Sequence, residues 1–93
     1  MDHGRTDGNQ TLIVQALRKA GCSVCITSDL GKGVPDLVVG FQDGLERHNV
    51  WIEIKMPNGR LTEDETKFID NWKGYPVIVV RSAEQALRAI GKA

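Results

Sequence analysis

GVPDLVVGF at residues 33–41 and NVWIEIK at residues 49–55 are two short runs rich in β-branched and apolar residues. Runs of this kind are typical of β-strands, and the Asp43-Gly44 dipeptide between them is a strong signal for a tight turn. We therefore predict that residues 36–41 and 49–55 pair as an antiparallel hairpin.

Three polar side chains are expected at one end of this hairpin, because the start of its first strand lies beside the end of its second. Asp36 opens the first strand, and Glu53 and Lys55 share a face of the second. Two adjacent carboxylates repel each other unless a cation lies between them, and oxygen ligands favour Mg²⁺ or Mn²⁺. A lysine beside such an ion could orient or deprotonate a water, or stabilise a phosphorane-like charge. This combination is the chemistry of phosphodiester hydrolysis.

The same residues also have ordinary structural interpretations. The second strand could be a solvated edge strand that carries an exposed charge pair. Asp36 could be a turn residue behind Pro35. The residues by themselves leave these interpretations open.

The flanking sequence predicts three helices and two further strands, from apolar residues at helical or strand spacing and from capping-box signals. In chain order they are a helix over 9–20, a strand over 23–27, a helix opened by Thr62 and Glu65, a strand over 77–80, and a helix opened by Ser82 and Gln85. The order is helix, three strands, helix, strand, helix. We expect one α/β domain at residues 9–93, behind a flexible tail at residues 1–8.

Composition excludes several classes of protein. The 93 residues are 41% hydrophobic and 26% charged, which is ordinary for a globular protein and unlike a disordered or fibrous chain. No apolar run approaches the length of a membrane span, and the N-terminus has no signal-peptide core, so we expect a cytoplasmic protein. The formal net charge of zero argues against bulk electrostatic capture of nucleic acid but leaves local patches open.

The two cysteines, Cys22 and Cys25, form a Cys-x-x-Cys motif. A redox motif needs its first cysteine at a strand-to-helix junction, whereas Cys22 follows a predicted helix. A zinc site needs four ligands, and the sequence offers no suitable histidines. We interpret both cysteines as reduced thiols and keep a redox protein as a minor alternative.

Pro35-Asp36, followed after sixteen residues by Glu53-Ile54-Lys55, resembles the PD-(D/E)XK nuclease signature. Together with Leu61-Thr62 and Val79 to Ser82, it is similar to the VRR-NUC (virus-type replication-repair nuclease) family, in its stand-alone phage and bacterial form. The resemblance covers residues 9–90. It implies a restriction-endonuclease-like core of order αβββαβα, with a central mixed sheet flanked by helices. It also implies a metal-dependent endonuclease that cuts branched DNA, such as four-way junctions, as a homodimer without an organic cofactor.

The resemblance also assigns roles to residues. Asp36 and Glu53 would bind Mg²⁺ or Mn²⁺ together with the backbone carbonyl of Ile54. Lys55 would position or activate the attacking water. Gln10 would be the polar residue that the family carries on its first helix, facing the site. At Glu65 this chain departs from relatives that often have glutamine. The capping box gives Glu65 a structural role, and a modulating contact with the site is the alternative.

We interpret Phe68 and Trp72 as core residues, and no aromatic platform for stacking bases is apparent. Recognition of DNA is therefore expected to depend on its shape and its phosphates. Three basic residues are candidates for phosphate contacts: Lys32, Arg60 and Arg81. A homodimer is expected because a four-way junction needs two cuts, and because Trp51, Phe41 and Tyr75 are hard to cover in so small a chain. The alternative function is a nucleic-acid-binding module that keeps the nuclease fold without turnover.

Overall fold

The computed structural model describes residues 3–92, with side chains from Gly8 onward. Its elements follow the predicted order of helix, three strands, helix, strand and helix. They are α1 (His3–Lys19), β1 (Ser23–Ile26), β2 (Leu37–Asp43), β3 (Glu46–Ile54), α2 (Glu63–Asn71), β4 (Ile78–Val80) and α3 (Ala83–Ala89), with a short 3₁₀ turn at Ser28–Leu30. The predicted α/β class is confirmed.

The strands form a mixed sheet in the order β1-β2-β3-β4. β1 and β2 are antiparallel, β2 and β3 are antiparallel, and β3 and β4 are parallel. The predicted hairpin is therefore present, and it closes at Gly44-Leu45, where Gly44 takes a φ of 63°. Leu37 lies opposite Ile52 in its register, so the next pair outward is Asp36 and Glu53.

One face of the sheet carries the hydrophobic core. Alternate residues of the hairpin strands are buried against α1 and α3, because strand side chains point to opposite faces in turn. The core members are Ile13, Val14, Leu17, Cys22, Leu37, Val39, Val50, Ile52, Ile54, Val80, Ala86 and Ile90. The register that buries this set also fixes which residues the opposite face presents.

The opposite face is covered by α2 through a small aromatic cluster. Trp51 of β3 makes edge-to-face contacts with Phe68 and Trp72, each with ring centroids 5.6 Å apart. The core interpretation of Phe68 and Trp72 is therefore wrong. Phe68 is only half-buried and α2 has no fully buried residue, while Trp72, which caps the helix, remains 42% exposed. The helix packs over the sheet without a further layer to cover its outer side.

The first helix is longer than predicted. Periodicity placed its start at Asn9, but α1 begins at His3 and passes through Gly4 and Gly8. Glycine disfavours a helix interior by about 1 kcal/mol, yet a helix that has already formed extends more easily than a new one begins. The predicted tail at residues 1–8 falls partly on Met1 and Asp2, outside the described residues, and its flexibility stays a prediction.

Two negative findings complete the fold. Cys22 lies between α1 and β1 and Cys25 lies within β1, and both are free thiols, so the strand-to-helix setting of a redox motif is not found here. Within residues 3–92, no helix combines the length and the apolar character needed to cross a membrane.

Gly33, in the loop before β2, packs closely against the backbone at the start of α2. Its φ is 82°, and a Cβ added there would overlap the backbone carbonyl of Asp64. We expect Gly33→Ala to destabilise the fold by about 2–5 kcal/mol, from backbone strain plus overpacking. Gly44→Ala is the control, because Gly44 also has a positive φ but no atom within 4 Å of the added Cβ. Gly44→Ala should lower the free energy of unfolding by about 1–2 kcal/mol, from the backbone strain alone. Urea denaturation midpoints measure both values, and equal losses would contradict this account.

Candidate active site

Asp36 is held at the point where β2 begins. Its Oδ2 accepts a hydrogen bond of 2.7 Å from the backbone N–H of Ile54. Its own carbonyl accepts a 2.7 Å bond from the N–H of Thr27, whose hydroxyl donates to the carbonyl of buried Pro35. The Asp36 carboxylate therefore adds one hydrogen bond between β2 and β3 beyond the last backbone pair, and this bond restricts its movement.

Glu53 lies directly across from Asp36 on the face that α2 covers. Its side chain is almost fully buried, with the residue 3% exposed. Burial, and then the charges of Asp36 and Glu65, raise the pKa of Glu53 to about 8. Burial also raises the pKa of Asp36, although the Ile54 N–H and the Lys55 charge oppose it. The pair has the mutual repulsion that the sequence predicted.

Lys55 lies between two carboxylates. Its Nζ is 3.5 Å from Oε2 of Glu53 and 2.7 Å from Oε1 of Glu65. Burial acts to lower the pKa of Lys55, but the hydrogen bond and charge of Glu65, with those of Glu53, outweigh it and raise the pKa above its usual value. Lys55 is therefore a positively charged donor at neutral pH.

These residues line one cavity of about 300 Å³. Its wall is formed by Asn9, Asp36, Glu53, Ile54, Lys55, Met56, Gly59, Arg60 and Glu65. The structure thus brings together the predicted set of Asp36, Glu53 and Lys55, with Ile54 beside them. The functional roles predicted for these four residues stay predictions.

The cavity also contains residues that the sequence did not indicate as part of a site. Asn9 of α1 donates from Nδ2 to the carbonyl of Lys55 over 3.4 Å. The sequence indicated only a helix cap at Asn9, and no local signal pointed to a contact 46 residues away. Glu65 was interpreted mainly through its capping role, and its contact with Lys55 adds it to the cavity wall.

Gln10 occupies a different place from the one expected. It is buried, at 8% exposed, but it is not part of the cavity wall. Its Nε2 donates to the hydroxyl of Ser28 over 3.4 Å, and its Oε1 has no hydrogen-bond partner within the described residues. Its inward orientation agrees with the sequence, while a catalytic role stays a prediction.

The three basic residues predicted to contact DNA have different surroundings. Arg60 is exposed on the cavity wall. Lys32 is exposed in the loop before β2, with a φ of 58°, and lines an adjoining depression that shares Asp36 and Glu65 with the cavity. The Arg81 guanidinium donates to the carbonyls of Met56 and Gly59 at 2.7 and 2.8 Å, so it holds the loop that precedes Arg60. Direct phosphate contacts by all three stay predictions.

The donor set is suitable for a small divalent cation. Between residues 3 and 92, no three His, Cys, Asp or Glu side chains are arranged as a complete metal site. Mg²⁺, however, is commonly held by one or two carboxylates and keeps several waters. Asp36 and Glu53 supply two carboxylates, and the carbonyl of Ile54 lies on the same strand edge as the N–H that binds Asp36. The residues present therefore fit the cation that the sequence predicted.

Comparison with known proteins gives one match. The family model described as the VRR-NUC domain matches residues 1–84 of the 93-residue chain. That span contains every residue of the cavity wall. Searches among curated proteins and among solved structures each give no match.

Glu53 makes the stability of the metal-free protein depend on pH. Its pKa in the folded state, about 8, lies above its ordinary value of 4.5, so its stabilising contribution is full below pH 4.5 and is lost as the pH rises towards 8. In chelator, the free energy of unfolding should fall across this window. Glu53→Gln should remove most of the slope and raise stability at pH 8 by roughly 1–3 kcal/mol.

Denaturation at several pH values measures this slope. The exposed Glu63 of α2 provides the control, since Glu63→Gln should leave the wild-type slope in place. A wild-type stability that is constant or increases between pH 5 and 8 contradicts the assignment of Glu53 as a buried, proton-binding carboxyl.

Proposed function

The chain belongs to the VRR-NUC domain family, a family of nucleases, and from this we propose that it is a metal-dependent, structure-selective DNA endonuclease. Residues 9–93 act as one nuclease domain with a restriction-endonuclease-like core. The substrate is branched DNA, such as a four-way junction, and the active form is a homodimer. The observation that carries the proposal is the pairing of half-buried Asp36 with buried Glu53, beside Lys55 in one cavity.

The energetics of that pair favour an enzyme over a binding module. Burying a carboxylate is costly, and placing a second carboxylate opposite it adds repulsion. A surface that only binds DNA phosphates gains nothing from negative charge. A site that binds a divalent cation, in contrast, offsets both costs when the cation is present.

Different residues of the chain have different roles in hydrolysis. Asp36, Glu53 and the Ile54 carbonyl would hold Mg²⁺ or Mn²⁺, which supplies Lewis-acid polarisation of a phosphate and a more acidic water. Lys55, a charged donor, orients the attacking water and stabilises negative charge that develops on the phosphate oxygens. The water oxygen forms a bond to phosphorus and one P–O ester bond breaks. The attacking water gives up a proton and the departing oxygen gains one, so the products are a phosphate monoester and a hydroxyl group. The hydrogen bond from Ile54 keeps Asp36 in place throughout.

Recognition of the substrate follows from the basic residues around the cavity. In this proposal Arg60 contacts a phosphate next to the scissile bond and Lys32 contacts a phosphate farther along the strand, which is supported by their exposure at the cavity and beside it. Arg81 contributes by holding the loop that carries Arg60. Contacts to phosphates carry no base information, so selectivity arises from the shape of the DNA.

The homodimer is proposed from symmetry and from exposed apolar surface. A four-way junction is nearly two-fold symmetric, and a two-fold dimer presents two copies of the cavity on one side. Tyr75 and Trp72 are exposed near the end of α2, as surfaces that bind a second chain often are. Light scattering should give a mass of about 20 kDa, twice the 10.2 kDa of the chain. A 10 kDa monomer that cuts junctions would remove the dimer from the proposal.

Cleavage of DNA should require a divalent ion and a branch. We expect a four-way junction to be cut in Mg²⁺ or Mn²⁺, a linear duplex of equal length to be cut more slowly, and neither to be cut in excess chelator. Gel analysis of end-labelled DNA measures all three. Binding of the junction without cleavage under every condition supports the inactive module instead, and full cleavage in chelator refutes the metal-dependent mechanism.

Removing Lys55 should separate chemistry from binding. Lys55→Ala keeps both carboxylates, so we expect cleavage to fall on the order of 100-fold or more while affinity for the junction changes little. Asp36→Ala should abolish cleavage and leave binding intact or tighter, because it removes a negative charge that faces phosphate. Lys67→Ala removes an exposed lysine of α2 and serves as the charge-matched control. Normal cleavage by both Lys55→Ala and Asp36→Ala would show that the site is elsewhere.

A further inference from the structure

One oxygen atom of Glu65 binds two donors from different parts of the chain. Oε1 accepts a 2.8 Å hydrogen bond from the backbone N–H of Thr62 and lies 2.7 Å from Nζ of Lys55. The first contact closes a capping box at the start of α2. The second reaches out of the helix to the end of β3. A cap needs only the first contact.

The short contact is the one that places the lysine. Charge-assisted N–H···O bonds are typically about 2.7–2.9 Å long. The distance from Lys55 to Glu65 lies in that range, while the distance of 3.5 Å to Glu53 lies outside it. Both partners of the short contact are well shielded, with 15% of the Lys55 side chain and 18% of the Glu65 side chain exposed. The Lys55 ammonium is thus held by Glu65 more than by its neighbour in the strand.

Glu65 itself is fixed in position. Its N–H donates to the Thr62 hydroxyl, so the carboxylate and the backbone of the same residue are both bonded to the cap. The backbone of the next residue towards the N-terminus, Asp64, packs against Gly33 in the loop that leads to Asp36. The helix start therefore connects Lys55 to the loop that carries the carboxylate on the other side of the cavity.

The second capped helix shows that the cap alone does not require a carboxylate. In α3, Gln85 occupies the equivalent position after Ser82, and its Oε1 accepts from the backbone N–H of Arg81 at 2.7 Å. An amide oxygen is thus sufficient for backbone contacts at this position. What distinguishes Glu65 is its contact with Lys55.

We infer that Glu65 is a positioning residue, which holds the Lys55 ammonium in the cavity through Oε1. The inference rests on the proposed nuclease function and deepens it, since it states how the water-orienting group is kept in place. The essential atom is a single acceptor oxygen, which contacts both donors. A glutamine at this position would keep the Oε1 acceptor for both donors.

Three variants test this inference through the rate of junction cleavage. Glu65→Ala should lower kcat on the order of 10-fold or more with little change in KM, as expected for a residue that supports a catalytic group. Glu65→Gln should recover most of that loss. Thr62→Ala is the matched structural control: it removes the hydroxyl of the same capping box but keeps the backbone N–H that holds Oε1, so its kcat should fall much less than that of Glu65→Ala.

A double-mutant cycle separates positioning from general destabilisation. In a Lys55→Ala background, Glu65→Ala should cause almost no further loss, because its partner is already absent. Losses that multiply would overturn the inference. So would a kcat for Thr62→Ala as low as that for Glu65→Ala, no recovery in Glu65→Gln, or full rescue of Glu65→Ala by excess Mg²⁺, which would identify Glu65 as a metal ligand.

Failure of the nuclease proposal can be distinguished from failure of this inference. A wild-type protein that cuts no DNA refutes the proposed function, while the folding of the same variants still tests the contact. The urea midpoints of wild type, Glu65→Ala, Lys55→Ala and the double variant should be non-additive, because the two side chains stabilise each other. Additive midpoints would overturn the claim that Glu65 holds Lys55.

Discussion

The hydrogen bond from the Ile54 N–H to the Asp36 carboxylate lies at the centre of this structure. It occurs where β2 has just begun and β3 is ending, so a side chain supplies the acceptor next to the last backbone pairs of the hairpin. The same register buries Leu37 and Ile52 on the core face and places Asp36 across from Glu53 on the other. A shift by one residue would exchange the two faces. The packing of the core and the composition of the cavity are thus determined together.

Much of this arrangement can be predicted from sequence, because the signals that determine it are local. Strict alternation in NVWIEIK distinguishes the core face from the face that carries Glu53 and Lys55, and Asp43-Gly44 marks the turn to within one residue. The capping box at Thr62 and the N-cap at Ser82 mark the beginnings of two helices. Once the hairpin is inferred, its antiparallel geometry brings Asp36 to Glu53 without further information.

The parts that sequence did not predict depend on contacts between distant elements. Neighbouring residues on a helix point about 100° apart, so the choice between Asn9 and Gln10 as the cavity residue depends on how α1 rotates against the sheet. Arg81 looked like a free cation because its acceptors, the carbonyls of Met56 and Gly59, lie more than twenty residues away. Trp72 was assigned to the core because amphipathic spacing identifies an inward face without showing whether a further layer covers the helix.

The helix α2 buries less apolar surface than the β2–β3 hairpin, so the two parts of the molecule differ in their resistance to unfolding. This helix buries none of its residues completely, whereas the hairpin contains four of the most deeply buried side chains: Leu37, Val39, Val50 and Ile52. Elements with few buried apolar contacts open at lower free-energy cost than the body to which they are attached. As the temperature rises, we expect α2 to separate first and to take Glu65 with it, while the sheet still holds Asp36 opposite Glu53. The cavity would then lose one wall at a temperature where most of the chain is still folded.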